Sequence, residues 1–152
     1  MADLEQVEAR AIELIDRYLP GAGWRFRWDN SRRRAGVCIF DTREIHASRP
    51  LAVRWNAQRC EQVILHEIAH ALAGPRAGHG RAWVRVAESI GCRRERYDDA
   101  GLARESAPIV GCCPNGHEFF RYRMPSGPRS CSLCHRGFDA RFLITWRRRA
   151  AQ

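Results

Sequence analysis

Apolar side chains near the N-terminus recur at steps of three and four residues, which is the spacing of one helix face. This face comprises Leu4, Val7, Ala11, Ile15 and Leu19, with Ile12 beside it. The pattern predicts an amphipathic helix over residues 3–19, and Pro20 with Gly21 is expected to end it.

Three short segments after this helix have the patterns of β-strands. Residues 24–28, WRFRW, alternate aromatic rings with arginines, as a strand with one buried face does. Residues 35–40, AGVCIF, and residues 43–48, REIHAS, follow, with the turn-like DT between them. Short strands that follow one another in this way predict a small antiparallel meander.

A second helical pattern begins after Pro50, with Asn56 as its N-cap, and runs through AQRCEQVILHEIAHALA to Gly74. A further helix is expected to begin near Gly80, with Trp83 on its buried face and therefore part of the core. Residues 93–108 are polar and irregular, which is typical of a linker. We therefore predict an α+β domain over residues 1–107 and a small module over residues 108–152.

The composition limits the classes of protein that this chain can belong to. Its 152 residues suffice for one modest domain, or for a small domain with a metal-stabilised module, and exclude a large multidomain enzyme. Apolar residues make up 45%, no apolar run is long enough to cross a bilayer, and the acidic N-terminus lacks the features of a signal peptide. We expect a cytoplasmic protein, with association with the nucleoid as an alternative, and no membrane partner.

Positive charge is unevenly distributed along the chain. The net charge is +9, and all 26 basic residues are arginine, which reflects a compositional bias and is no evidence of recognition. Residues 24–54 carry a net +5 and residues 107–152 a net +6, whereas residues 1–20 carry a net −3. Charge concentrated in this way attracts phosphate backbones, so DNA is an expected partner through the strand region and the C-terminal module. The alternative is that the charge only maintains solubility.

The second helical pattern contains a possible catalytic metal site. His66, Glu67 and His70 form the sequence H-E-x-x-H, which is typical of catalytic zinc in metallopeptidases. Residues four apart lie about 40° from each other around a helix, so both imidazoles can reach one ion. Glu67 projects beside that ion, where its carboxylate can take a proton from a water molecule. The alternative is that these are ordinary core histidines, but a buried helix would then hold them at a cost.

Catalytic zinc requires a third protein ligand and one open coordination position. His79 is the candidate, because it follows His70 by nine residues in a Gly-Pro loop and has glycines on both sides. On its own, a histidine in such a loop is equally often a surface residue. His46 lies in a predicted strand and is interpreted as structural, and the isolated Cys38, Cys60 and Cys92 are interpreted as buried apolar residues.

Four of the seven cysteines cluster near the C-terminus, which favours a metal site over disulfides in a cytoplasmic chain. Cys131 and Cys134 form a C-x-x-C knuckle typical of structural zinc. The first knuckle is less regular, and we favour Cys113 with His117 across the turn Pro114-Asn115-Gly116, with Cys112 as the alternative ligand. His135 is the less favoured spare. Aromatics and arginines between the knuckles suit nucleic-acid contact or a solvated hairpin equally well.

The segments LHEIAHAL and GHGRAW together resemble the SprT-like, or Spartan-type, zinc metallopeptidases. The order of elements, with a terminal cysteine module, is similar to the family over nearly the whole chain. The resemblance implies a zincin-like domain followed by a zinc ribbon, with one catalytic zinc on His66, His70 and His79, one structural zinc, and Glu67 as the catalytic acid and base. Since family members degrade proteins crosslinked to DNA, it also implies a DNA-associated peptidase.

The sequence therefore predicts a zinc-dependent endopeptidase that acts on DNA-associated or DNA-crosslinked proteins. Two other hypotheses remain open. The first is a DNA-binding zinc-ribbon protein whose first metal site is structural or regulatory. The second is a peptidase that inactivates a repressor.

Overall fold

The computed structural model describes residues 1–93, Arg104 and residues 107–149. The chain divides into two compact units, Met1–Arg96 and Tyr97–Gln152, and each combines secondary structure around its own small sheet. Most of the predicted linker at 93–108 lies outside the described residues, so the boundary predicted at residue 107 stays a prediction. None of the helices in the described part of the chain has the length and apolar composition that crossing a membrane requires.

The first helix, α1, spans Leu4–Tyr18, close to the predicted range. It begins where the side chain of Asp3 accepts a hydrogen bond from the backbone N–H of Glu5 at 2.9 Å. Its buried face includes Leu14, whereas Ile12 is 48% exposed, so the placement of Ile12 beside the apolar face was wrong. The face of α1 that packs on the second long helix therefore includes Leu14 and leaves Ile12 exposed.

The first unit contains a three-stranded sheet of β1 (Arg25–Asp29), β2 (Gly36–Ile39) and β3 (Glu44–Ser48), in the order β1-β3-β2. β2 pairs antiparallel with β3, but β1 pairs with β3 in parallel, so the predicted antiparallel meander was wrong. β3 takes the centre because Ile45 and Ala47 are buried there, while both outer strands keep largely half-buried or exposed side chains. The alternation within each strand specifies a buried face but not the neighbouring strand.

Three helices follow the sheet. The four-residue α2, Arg49–Ala52, was not predicted; the Ser48 hydroxyl caps it by accepting from the Leu51 N–H at 3.2 Å. α3 spans Ala57–Ala73, and Asn56 is its N-cap, as predicted. The Asn56 side-chain oxygen accepts from the Arg59 N–H at 2.8 Å. α4 spans Arg81–Ser89 and packs against α3, which also covers β2 and β3. α3 is therefore the central helix of the unit.

The second unit contains an antiparallel sheet of β4 (Ile109–Cys112), β5 (Glu118–Arg121) and β6 (Thr145–Arg148), in the order β5-β4-β6. A short 3₁₀ helix, Ala140–Phe142, precedes β6. Gly111 lies in the central strand, and a Cβ there would lie 2.6 Å from the ring of Trp146. Only glycine permits this close packing in so small a sheet.

Candidate metal centres

Two histidines of α3 and one from the following loop converge at a single point. The Nε2 atoms of His66 and His70 lie 3.2 Å apart, and the Nε2 atom of His79 lies 3.0 Å from each of them. The helical repeat aligns the first two residues on one face. The loop returns the third, and within it Gly74 and Gly78 adopt positive φ angles of 92° and 51° that favour glycine. The structure thus brings together the three residues that sequence spacing selected.

The three imidazoles have the geometry of a shared cation site. A neutral ring nitrogen either donates or accepts, so at most two of the three contacts can be hydrogen bonds. Ligands at the usual zinc–nitrogen distance in tetrahedral geometry have nitrogens about 3.3 Å apart. Burial and the neighbouring rings lower the pKa of His66 to about 4, and burial with His79 lowers the pKa of His70 to about 4, so both are neutral at pH 7. This cluster fits zinc.

Glu67 lies on the same helix, with its carboxylate directed toward β2. It is only 8% exposed. Burial raises the pKa of its carboxyl group to about 8, although the Arg34 guanidinium and a hydrogen bond from the Cys38 backbone N–H both oppose that rise. A carboxylate in this environment holds a proton readily near neutral pH and can also release it.

β2 forms one wall of a cleft in front of these side chains. The cleft has a volume of about 320 Å³ and is lined by Gly36, Val37, Cys38, Phe40, the three histidines and Glu67. A Cβ on Gly36 would lie 3.0 Å from the Glu67 Cγ atom and 2.8 Å from the His46 carbonyl oxygen. Glycine at this position therefore allows α3 to approach the strand closely. Sequence reasoning missed Gly36, because its role depends on which helix lies against the strand.

The remaining residues considered near the site have other surroundings. His46 lies outside the histidine cluster, and its Nε2 atom contacts the Glu44 carboxylate at 3.0 Å, which agrees with a structural role. Cys60 and Cys92 are buried, as predicted. Cys38 is only half-buried and faces the cleft, so its placement in the core was wrong. Burial and the Glu67 carboxylate raise the pKa of its thiol to about 12.

In the second unit, four side chains form a separate cluster of three thiols and one imidazole. The His117 Nδ1 atom lies 3.5, 3.4 and 3.3 Å from the sulfur atoms of Cys113, Cys131 and Cys134. The Cys113 and Cys134 sulfurs lie 3.8 Å apart. Tetrahedral zinc with sulfur ligands at about 2.3 Å gives sulfur separations of about 3.8 Å. This cluster fits zinc as well.

Hydrogen bonds at the second cluster favour ionisation of the Cys113 thiol, whereas burial raises the pKa of the Cys134 thiol. Burial opposes ionisation of the Cys113 thiol, but the backbone N–H groups of His117 and Asn115 outweigh it and lower the pKa to about 7. The Asn115 side-chain amide also donates to the Cys134 sulfur at 3.2 Å. Cys112 is exposed and stands outside the cluster, as does His135. The geometry selects Cys113 over Cys112, because Cys113 is buried within the cluster whereas Cys112, the last residue of β4, is exposed.

Arginines and aromatic rings of the second unit contact one another. The guanidinium groups of Arg104 and Arg149 lie 5.6 and 5.1 Å from the Phe120 ring, and that of Arg121 lies 5.7 Å from the Trp146 ring. Both rings are half-buried. These aromatic rings are therefore partly covered by arginine side chains of the same unit.

The chain was also compared with known proteins. No curated protein and no solved structure matches it. The model of the SprT-like family matches residues 4–103, which include α1, the first sheet and all three clustered histidines. This match covers more than half of the sequence, so the chain belongs to the SprT-like family.

Proposed function

We propose that this protein is a zinc-dependent endopeptidase with Glu67 as its general base. The observation that carries the proposal is the convergence of three Nε2 atoms within 3.0–3.2 Å of one another in a cleft that Glu67 also lines. Three imidazoles leave one position of tetrahedral zinc open, as catalytic sites require. The SprT-like family is generally associated with a metallopeptidase-like role, which supports the assignment.

The three clustered histidines, called the first cluster, and Glu67 beside them each have a specific role in this reaction. His66, His70 and His79 hold the ion, which when bound polarises the scissile carbonyl and lowers the pKa of a water molecule. Glu67 takes a proton from the attacking water and donates it to the leaving amine. The Cys38 N–H hydrogen bond orients the Glu67 carboxylate for both transfers.

The free edge of β2 is suited to an extended peptide. The Ser48 N–H donates to the Ala35 carbonyl at 2.8 Å, and hydrogen bonding alternates along an antiparallel pair. The backbone groups of Gly36 and Cys38 therefore point away from β3, toward the cleft side of the strand, where the Glu67 carboxylate accepts from the Cys38 N–H. A substrate segment can pair with the other outward-pointing backbone groups of this edge, which brings its scissile bond beside Glu67. Such binding selects unfolded or extended segments.

We further propose that the substrates are DNA-associated or DNA-crosslinked proteins. The support is the charge, with a net +5 over residues 24–54 and +6 over residues 107–152, together with the exposed arginines of the second unit. Contacts of this kind depend on phosphate and weaken steeply with salt. This proposal places the protein in the cytoplasm or at the nucleoid.

A test of the proposed function compares three zinc-loaded proteins: wild type, Glu67→Gln and the matched control Glu61→Gln, which alters another glutamate of α3. Each is incubated with a DNA-binding test protein, with and without DNA. Wild type and the control are expected to cleave the test protein, faster with DNA, while Glu67→Gln retains its zinc without cleaving. Cleavage by Glu67→Gln at the wild-type rate would reject Glu67 as the base.

A second candidate is a DNA-binding zinc-ribbon protein whose first metal site is structural or regulatory. The well-formed cysteine–histidine cluster and the exposed arginines beside it favour this reading. The same assay separates the two, because this candidate predicts salt-sensitive DNA binding with no cleavage by wild type. Cleavage of a repressor without any dependence on DNA would instead favour a repressor-inactivating peptidase.

A further inference from the structure

Trp83 contacts every histidine of the first cluster. Its ring centroid lies 4.7 Å from that of His66, 5.5 Å from that of His70 and 4.9 Å from that of His79. Trp83 is the third residue of α4, so it follows the loop that carries His79 by less than two helical turns. The indole therefore joins the two separate parts of the chain that supply the imidazoles.

The position of Trp83 differs from that of a substrate-binding aromatic. It is 7% exposed, and it is absent from the residues that line the cleft, although all three histidines are present there. The indole thus backs the histidines while their other side faces the cleft. Its buried Nε1 atom has no hydrogen-bond partner among the described residues, so the ring is held there by packing.

His79 is the ligand that most needs such support. It is exposed and lies in a loop between two helices, whereas His66 and His70 share the rigid frame of α3. In the contact between His79 and Trp83, the edge of one ring meets the face of the other at an interplanar angle of 86°. Perpendicular packing of this kind is a favourable arrangement of aromatic rings. It limits the orientations that the His79 ring can adopt.

We infer that Trp83 is a positioning residue for the first metal site, and that its indole holds the three Nε2 atoms in a preformed arrangement that binds zinc. The inference rests on the proposed zinc site and assigns Trp83 a function beyond core packing. A preformed site binds its ion more tightly because less side-chain freedom is lost on binding. Residues that orient metal ligands by hydrogen bonding typically contribute about 10- to 100-fold in affinity, and we expect an effect of the same order from the ring contacts of Trp83.

The test measures metal binding rather than activity, using wild type, Trp83→Leu and the matched control Trp55→Leu. Trp55 is a tryptophan of the first unit, 4% exposed, whose ring stacks with Arg59 instead of with the histidines. Zinc affinity is measured on the full chain by competition with a chelator. Cobalt(II) spectra separate the two sites, because only the cysteine-containing site gives thiolate charge-transfer bands.

Trp83→Leu is expected to weaken zinc at the first site by about 10- to 100-fold and to alter its cobalt(II) ligand-field bands. Trp55→Leu is expected to lower the melting temperature, with the zinc affinity of the first site and its cobalt(II) ligand-field bands unchanged. Equal first-site affinity in wild type and Trp83→Leu would overturn the inference. If Trp83→Leu does not fold, Trp83→Phe and Trp55→Phe are compared by the same criteria, with a smaller loss expected.

The two proposals fail in different ways. A wild-type protein that binds metal only at the cysteine-containing site would reject the zinc peptidase itself. A wild type that binds two ions without cleaving any protein would reject the peptidase and leave the affinity comparison for Trp83 intact. Two bound ions with no effect of Trp83→Leu would reject the role of Trp83 alone.

Discussion

The buried carboxyl group of Glu67 gives a stability prediction that can be worked out in sign and size. Replacing it with glutamine removes an ionisable group whose pKa rises from 4.5 to about 8 on folding. Between these values the folded state keeps a proton that the unfolded state releases, so rising pH destabilises the wild type. The stability that the folded protein gains by holding this proton is therefore fully present below pH 4.5 and is lost as the pH rises toward 8.

Each pKa unit corresponds to about 1.4 kcal/mol. Relative to wild type, the free energy of unfolding of the zinc-free Glu67→Gln protein is therefore expected to differ little at pH 4. It should be about 3 kcal/mol higher at pH 7 and about 4 to 5 kcal/mol higher above pH 8. His66 and His70 have lowered pKa values, which favour folding as the pH rises, but both proteins contain them and their contributions cancel in the difference.

The assay is urea unfolding of both zinc-free proteins from pH 4 to pH 9, monitored by tryptophan fluorescence. The free-energy difference between them should widen with pH. Zinc at the first site should narrow it, because a nearby cation favours the ionised carboxylate. Parallel stability profiles for the two proteins across this range would refute the burial argument for Glu67.

Four other substitutions test the ligands of the two clusters and the strand beside the first. Gly36→Ala places a methyl group against Glu67, so proteolysis should fall at least about tenfold with zinc content unchanged; full activity would show that the strand can yield. His79→Ala should reduce bound zinc, measured by mass spectrometry of the native protein, from two ions to one, and two retained ions would exclude His79 as a ligand. Cys113→Ser should lose the zinc of the second cluster while Cys112→Ser keeps it, and the reverse result would reassign the ligand.

Local periodicity was enough to predict α3, which carries two of the clustered histidines, and α4, which follows the loop that carries the third. The interval of four residues between His66 and His70 fixes their common face once a helix is assumed, and the glycines around His79 indicate a loop that can return. These features depend on neighbours in sequence. The three histidines could therefore be identified without knowing how the sheet is arranged.

Features that depend on pairing between distant segments could not be predicted from the sequence. The alternation in WRFRW predicted strand β1 but not its parallel partner β3, since pairing is set by tertiary packing. The edge position of β2, and with it the contact of Gly36 with Glu67, follows from that strand order. The choice between Cys112 and Cys113 likewise depends on how the chain turns into the second cluster where β4 ends.

In the proposed active site, three imidazoles hold one zinc ion in a cleft and leave one coordination position open. Anomalous diffraction at the zinc edge from crystals of the zinc-loaded protein tests it most directly. Two peaks per chain are expected, one of them within about 2.1 Å of the Nε2 atoms of His66, His70 and His79, with no fourth protein ligand. No peak among these histidines, or a fourth side chain closing the site, would contradict it.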